Sequence, residues 1–540
     1  MPSYTKYSSG MAERKLTIES FTGVDQSQGL HSPDVGSSPD ATNFIARDGD
    51  MRTAGGVSKY GNAVPLSDDS EEESEESLNE ENEEETEEEI EPSYEENGRI
   101  FQGFFRDQTG EDFSKLILAL DGKLYASDLD ADEWTALTGT FDTNEWAMVN
   151  YREGDTDSAI FVNGANKGQM WDGSSASTTE MTIHQGTITE TSNGTTTTTA
   201  QGEDLYFSQL TLLNERLWGG VSPDYPDRIY WSNTFGPNDW EFNYEDSEHD
   251  GGGFIDVATF DGGRIRAVVA AMDDVLIFKD KTMHRLAGTY PGDFTLTQVY
   301  GTEGTLAART VVDTGKAVYF LSSDGLVRYS GMSAMPLASQ GDKKLKDIWA
   351  RINPSGIGSA CAVYLNGIIY LAIPLDGKVY NTHVIEYDVR TGIYNVIEYP
   401  GVDDWLVLKE GQQETLLFLN ERQLYRYDSG YTFDGEEIKS CWTSPYISLG
   451  TLSSKKTTGR VYMSLTANSL DITKEPEIKV SMMSGGKTRE KTIKLKNGLN
   501  ELRKQIKVRG RMFRFRIENV DGNPLTIHRG IEIRVEEDFD

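Results

Sequence analysis

Cysteine is nearly absent from this 540-residue chain: Cys361 and Cys441 are the two it has. Two cysteines about 80 residues apart are too few for a disulfide framework and lack metal-ligand spacing, so a reducing compartment during assembly is expected. Histidine is almost as scarce. His31, His184, His249, His284, His383 and His528 are scattered, and none pairs with another at metal-binding spacing. His284, beside Arg285 in a strand-like run, reads as a half-buried structural residue. No GxSxG elbow, P-loop or HExxH motif occurs. Gly251-Gly252-Gly253 and Gly262-Gly263 read as turn glycines, because no helix follows them to complete a phosphate cradle. The chain is therefore expected to be no enzyme, with no catalytic residue, metal or cofactor. No run approaches the ~20 apolar residues that cross a bilayer, and Met1-Pro2-Ser3-Tyr4-Thr5 lacks the apolar stretch of a secretory signal. Membrane insertion is not expected.

Positive charge is also in short supply. Lys and Arg total 51 against 88 Asp and Glu, a net charge of −37. Much of that excess is local: Asp68 to Glu96 carries 18 acidic residues and no Lys or Arg. Such a segment cannot bury enough apolar surface to offset its ordering entropy, so disorder is expected over 61–97. An electrostatic brush that excludes DNA or recruits a basic partner is one reading; a solvated insertion that touches nothing is the preferred one. The C-terminal stretch Thr451–Asp540 is biased the other way, with 19 Lys/Arg against 12 Asp/Glu.

Glycine and aromatics are plentiful, with 53 Gly, 25 Tyr and 21 Phe, the profile of a turn-rich all-β protein. From about Ile100 to Gly450, strand-like runs and Gly/Asn/Asp turns recur every ~40–50 residues, the spacing of β-propeller blades. Asp121-Gly122-Lys123-Leu124-Tyr125, Asp324-Gly325-Leu326-Val327-Arg328-Tyr329 and Asn420-Glu421-Arg422-Gln423-Leu424-Tyr425 each read as a tight turn feeding an alternating strand. The Thr/Ser/Gly-rich stretch Thr187–Asp204 is expected to be a flexible surface loop, and Lys343–Ile352 to be helical. After Gly459 the strands alternate cleanly, as in Arg460–Leu465 and Phe513–Ile517, and predict a small β-sandwich. The predicted fold is all-β: a propeller of about six or seven blades with a C-terminal β-sandwich. Its divisions are an N-terminal arm with the first propeller strand (1–60, that strand starting at Gly49-Asp50-Met51-Arg52), the acidic insertion (61–97), the propeller (98–450) and the sandwich (451–540).

Candidate contact residues fall in two places. Arg503, Lys504, Lys507, Arg509, Arg511, Arg514 and Arg516 form a basic stretch, with Arg514 and Arg516 on one face of a strand. It suits phosphate contact, or, the preferred reading, the acidic body of a neighbouring subunit. Tyr225 and Trp240 are aromatics suited to glycan binding, and Asp224, Asp227 and Asp239 lie near them in the sequence. Paired carboxylates there would suit sugar cleavage; they equally suit blade turns, which use Asp and Trp as punctuation.

An ordered set of stretches resembles one family. They are Phe21-Thr22-Gly23-Val24 with Pro33 and Ala41-Thr42-Asn43, then Arg228-Ile229-Tyr230-Trp231-Ser232 with Asn238-Asp239-Trp240, then Val275–Lys279. Tyr300-Gly301 with Gly304, Phe320-Leu321-Ser322-Ser323-Asp324-Gly325 and His528-Arg529-Gly530-Ile531-Glu532-Ile533 complete the set. The chain looks like the head-to-tail or tail-nozzle proteins of tailed bacteriophages, similar to the packaged-DNA-stabilising nozzle of short-tailed phages. The resemblance implies a structural virion protein of the neck or tail, assembled in the host cytoplasm. It would form a ring with itself, often sixfold, extend the portal channel, contact portal, adaptor and other tail proteins, retain packaged DNA and let it exit. A net-negative conduit would let DNA slide with little friction. The alternative is a tail or collar adhesin that binds a host surface glycan.

Overall fold

The computed structural model describes residues 12–31, 34–65, 98–143, 145–181, 187–192, 195–200, 206–240, 251–257, 260, 263–300, 304–323, 325–337, 343–399, 401–448, 452–471 and 473–537. Of the insertion expected to be disordered over 61–97, residues 66–97 lie outside them, whereas 61–65 are ordered: Val64 is buried in the layer between blades seven and one and donates its N–H to the Arg422 carbonyl at 2.9 Å.

Seven four-stranded antiparallel sheets follow one another along the chain and form the blades of a propeller. Blade one is Arg99–Arg106, Asp112–Leu120, Lys123–Ser127 and Thr135–Ala136. Blades two to six begin at Ala147, Gln209, Ile265, Val312 and Cys361. Blade seven takes Asp404–Glu410, Gln413–Asn420 and Gln423–Tyr427 from late in the chain and its outermost strand, Val57–Tyr60, from the beginning. The N-terminal segment thus fastens the ring shut.

Near-continuous apolar runs make sense in this arrangement, because a blade strand is covered on both faces. In Asp112–Leu120, Leu116, Leu118 and Leu120 pack toward blade seven, whereas Ile117 and Ala119 pack toward blade two. In Val275–Phe278, Val275 and Ile277 meet blade three, and Leu276 and Phe278 meet blade five. Adjacent blades share such a layer all round the ring. The turn residues behave as their chemistry demands: Asp121 and Gly122 both adopt positive φ, 52° and 65°, between paired strands.

The sandwich draws on both ends of the chain. One sheet runs Ala12–Ile18, Ile531–Glu537, Lys456–Ala467, Leu525–Ile527, Asp50–Thr53, Phe44–Arg47, with Gly498–Gln505 and Arg509–Gly510 also paired to Lys456–Ala467. The other runs Ser440–Thr443, Arg514–Asn519, Glu477–Ser484, Lys487–Lys494. Asp50–Thr53 is therefore a sandwich strand and does not start the propeller. Its buried Met51 faces Ile527 across the ladder and joins the sandwich core with Leu465. The chain crosses to the propeller at Gly55-Gly56, where a side chain on Gly56 would collide with the backbone of Thr432. Ser440–Thr443, expected at the end of the propeller, likewise belongs to the sandwich.

Two further expectations meet the structure here. Thr187–Ser192 pairs with Thr195–Ala200 as a two-stranded hairpin, since β-branched threonines favour extended backbone; 193–194 and 201–204 lie outside the described residues. Lys343–Leu345 and Lys346–Trp349 form a 3-10 turn and a single α-turn, as the helical reading of that stretch anticipates. The sandwich and blades five and six share one core, with Phe21 edge-on to Trp442 at 5.2 Å between ring centroids.

Candidate functional site: the propeller axis and the basic cleft

The first strand of each blade lies toward the propeller axis. Residues from the first strands of blades one, two, six and seven, with Arg309 from the 3-10 turn before blade five, line an open axial cavity of about 340 Å³. Its polar wall consists of Arg99, Gln102, Arg309, Asp404 and Lys409. Arg99 Nε donates to Asp404 Oδ2 at 2.8 Å, tying blade one to blade seven. Arg309, buried between blades, donates to the carbonyls of Asp403 (2.8 Å), Gly358 (3.2 Å) and Ser359 (3.1 Å). Asn381 adds bonds to the carbonyls of Ser359 and Val402, both at 2.7 Å. Arg309 and Asn381 donate to backbone carbonyls of neighbouring segments and Arg99 to a carboxylate of the next blade, which makes them cross-braces. Burial pushes the Asp403 carboxyl up to about 6, although it accepts the Glu421 N–H at 2.6 Å. Among the described residues, no group of three or more His, Cys, Asp or Glu is placed to hold a metal ion. No described helix is long and apolar enough to cross a membrane.

The basic stretch is contiguous in sequence but not in space. Arg503 and Lys504 sit on Gly498–Gln505 in the eight-stranded sheet, with the Arg503 guanidinium 5.7 Å from the Tyr462 ring centre. Lys507 is exposed in the loop that follows. Arg514 and Arg516 lie on the other sheet, on one strand face as expected. Both are already engaged. Arg514 donates to the Ser444 carbonyl (3.1 Å) and to Asp40 (3.2 Å), and Arg516 pairs with Glu518 at 3.1 Å. Arg509 and Arg511, at the turn between the sheets, open onto a cleft of about 650 Å³.

Four cations line that cleft. Lys455 enters from the lead into one sheet, Lys487 from the Gly485-Gly486 hairpin turn, and Arg509 and Arg511 from the connecting turn. All four are exposed. His31 and Tyr446 stack at 5.7 Å in its wall, held by the Tyr446 N–H to the Leu30 carbonyl at 2.7 Å. No Asp or Glu lines it among the described residues. Lys455, Lys487 and His31 escape a reading of the basic stretch, because they come from distant segments. The axial Arg99, Arg309 and Asp404 escape for the same reason: single charged residues at strand starts or in a 3-10 turn carry no local signal.

The glycan candidates divide. Trp240 is buried, packed 5.1 Å from Phe207, with its indole N–H donated to the Pro237 carbonyl at 2.9 Å. It presents no face to a sugar. Tyr225 is 40% exposed and Phe254 is 50% exposed; the Arg228 guanidinium lies 4.6 Å and 3.9 Å from their ring centres. Asp227 instead pairs with the buried Lys279 at 3.2 Å, and Asp239 bonds Asn233 at 3.1 Å; both serve blade turns. His284 is buried in blade four.

No family model matches the chain, and no curated protein matches it. Among solved structures it is similar to a quinonprotein alcohol dehydrogenase-like protein from Bacteroides thetaiotaomicron. That protein is 11% identical over 61% of this chain and 69% of its own, with a TM-score of 0.31. So slight a likeness carries no argument about chemistry; the seven sheets and their order define the propeller.

Proposed function

We propose that this chain is a structural virion protein of a tailed bacteriophage. In this reading it forms part of a ring at the neck or tail nozzle that extends the portal channel, retains packaged DNA and lets it exit. The observation that carries the reading is the segregation of charge. A cleft lined by four cations lies on the sandwich, while the chain outside 451–540 holds 76 acidic against 32 basic residues. A molecule with a basic end and an acidic body is suited to head-to-tail contacts, and head-to-tail contacts that close make rings. The sequence resemblance supplies the setting. The cross-braced axis and the ring fastened by its own N-terminal strand suit a part that bears load.

The test is genetic. Particles assembled without this chain are expected to package DNA and then lose it, read as a fall in nuclease-protected DNA per head. Normal DNA retention in such particles contradicts the proposal.

A second reading, a tail or collar adhesin, draws on the exposed Tyr225–Arg228–Phe254 stack. Aromatic faces beside a guanidinium are suited to a sugar ring bearing an acidic group. Binding of the free protein to host cells, lost on Tyr225→Ala/Phe254→Ala, would favour it.

A further inference from the structure

The geometry points to a binding site for the end of a neutral saccharide, in the hollow where the chain crosses from the sandwich to the propeller. The inference rests on neither functional reading, and the site shares no residue with the Tyr225–Arg228–Phe254 stack.

The hollow measures about 380 Å³, within the range of about 300–1,000 Å³ usual for small-molecule sites. Four segments meet around it. They are the strand Asp50–Thr53 with Gly55 after it, the turn Asp428–Tyr431 beyond blade seven, Asn468 just past Lys456–Ala467, and the strand Leu525–Ile527. The frame is fixed by backbone bonds across the crossover. Ser429 N–H donates to the Gly56 carbonyl at 2.9 Å, and Gly56 N–H donates to the Gly430 carbonyl at 3.0 Å. Asp428 and Gly430 hold positive φ, 52° and 82°, a region that Asp and Gly enter readily. At Gly55 a Cβ would collide with the Asp428 carboxylate, so the absence of a side chain there makes room for that group.

The charge of the lining cancels. Arg52 donates from Nη1 and Nη2 to the two oxygens of Asp428 at 3.2 and 2.9 Å, a two-pronged pairing that fixes both side chains. These are the charged groups of the lining among the described residues. An anion would have to displace Asp428 from Arg52, and a cation would have to displace Arg52 from Asp428. Both side chains stay partly open, 33% and 42% exposed, so the carboxylate keeps lone pairs for a hydroxyl donor.

The neutral groups match a polyol. Tyr431 is 51% exposed, and no ring or guanidinium among the described residues stacks on it. The Asn468 amide, the Thr526 hydroxyl and the Tyr431 hydroxyl line the same hollow. None of the three has a side-chain hydrogen-bond partner among the described residues. A pyranose has an apolar face of C–H groups that suits an aromatic ring, and a rim of hydroxyls that each donate and accept. Amide, hydroxyls and carboxylate supply both halves of those bonds. Asp428 is the one carboxylate of the lining among the described residues. Glycoside cleavage ordinarily takes two, about 5–9.5 Å apart, so the site is assigned to binding without cleavage.

The experiment titrates full-length protein with maltose, cellobiose, lactose and chitobiose. Contact is read by saturation-transfer difference NMR and affinity by isothermal calorimetry. Saturable binding of at least one of these disaccharides is expected. Tyr431→Ala should weaken it about tenfold or more, and Asn468→Ala about three- to tenfold. Tyr431→Phe should keep most of the affinity, because the ring remains, and Tyr225→Ala/Phe254→Ala should leave it unchanged. Thermal melting of each variant checks the fold. No saturable binding of any of these disaccharides would overturn the inference, as would binding that survives both Tyr431→Ala and Asn468→Ala. Binding lost with Tyr225→Ala/Phe254→Ala would assign the sugar to blade three and overturn it. Tighter binding of inorganic phosphate or glucuronate than of the neutral sugars would reveal a charge-reading site and overturn it as well.

Discussion

The side-chain amide of Gln102 grips Lys409 by both backbone groups, donating Nε2–H to its carbonyl at 2.8 Å and accepting its N–H on Oε1 at 2.9 Å. Gln102 belongs to blade one and Lys409 to blade seven, so this amide stitches the first blade to the last. Its neighbour Arg99, on Asp404, does the same with charge.

Gln102→Ala removes both bonds at the seam. A loss of about 1–3 kcal/mol is expected, since each unmade bond costs roughly 0.5–1.5 kcal/mol. Urea denaturation followed by tryptophan fluorescence measures it. A change below about 0.5 kcal/mol would mean that the seam is held by the apolar layer alone.

Asp403 makes the fold sensitive to pH. Its carboxyl is raised to about 6 in the fold by burial, against about 3.9 for a free side chain. A group raised in this way favours folding fully below pH 4, and its contribution is lost as pH rises through 6. Asp403→Asn removes that loss. Between pH 4 and pH 7.5 the variant should gain roughly 2–3 kcal/mol relative to the parent. Parallel stability curves for the two proteins would show that Asp403 titrates as an ordinary carboxylate.

Trp442, on a sandwich strand, is buried in the core shared with blades five and six and faces Phe21. Trp442→Ala should cost about 3–5 kcal/mol. Because strands from both chain ends interleave in the sandwich, propeller and sandwich are expected to melt in one calorimetric transition. Two separated transitions would contradict a shared core.

How far the sequence reached depends on whether a signal was local. Runs such as Leu116–Leu120 and the alternation of Arg460–Leu465 declare strands because burial on two faces or on one leaves its period in the residues themselves. The repeat gave the blades and bounded their number at six or seven. The closing strand Val57–Tyr60 left no such mark: its partner Gln423–Tyr427 lies most of the chain away. Met51 and Thr53 alternate as any strand would, so nothing local tells sandwich from propeller. The candidate site was half legible. Arg509 and Arg511 were in view, but Lys455, Lys487 and His31 join them only through tertiary packing. Trp240 looked available because a loop tryptophan after Asn-Asp carries no sign of the Phe207 ring that covers it.

The Tyr225–Arg228–Phe254 stack separates the two functional readings. For a ring protein, Tyr225→Ala/Phe254→Ala should leave stability within about 1 kcal/mol, both rings being partly exposed, and should leave particle infectivity unchanged. Adsorption assays decide it: a tenfold or greater loss of adsorption would move these aromatics to receptor binding.

The central claim is best tested by cryo-electron microscopy of intact particles or of a purified portal–tail assembly. The account predicts density for seven-bladed rings arranged about the central axis below the portal, with each sandwich against the body of the next copy. Density that lies off the axis and projects outward would contradict it.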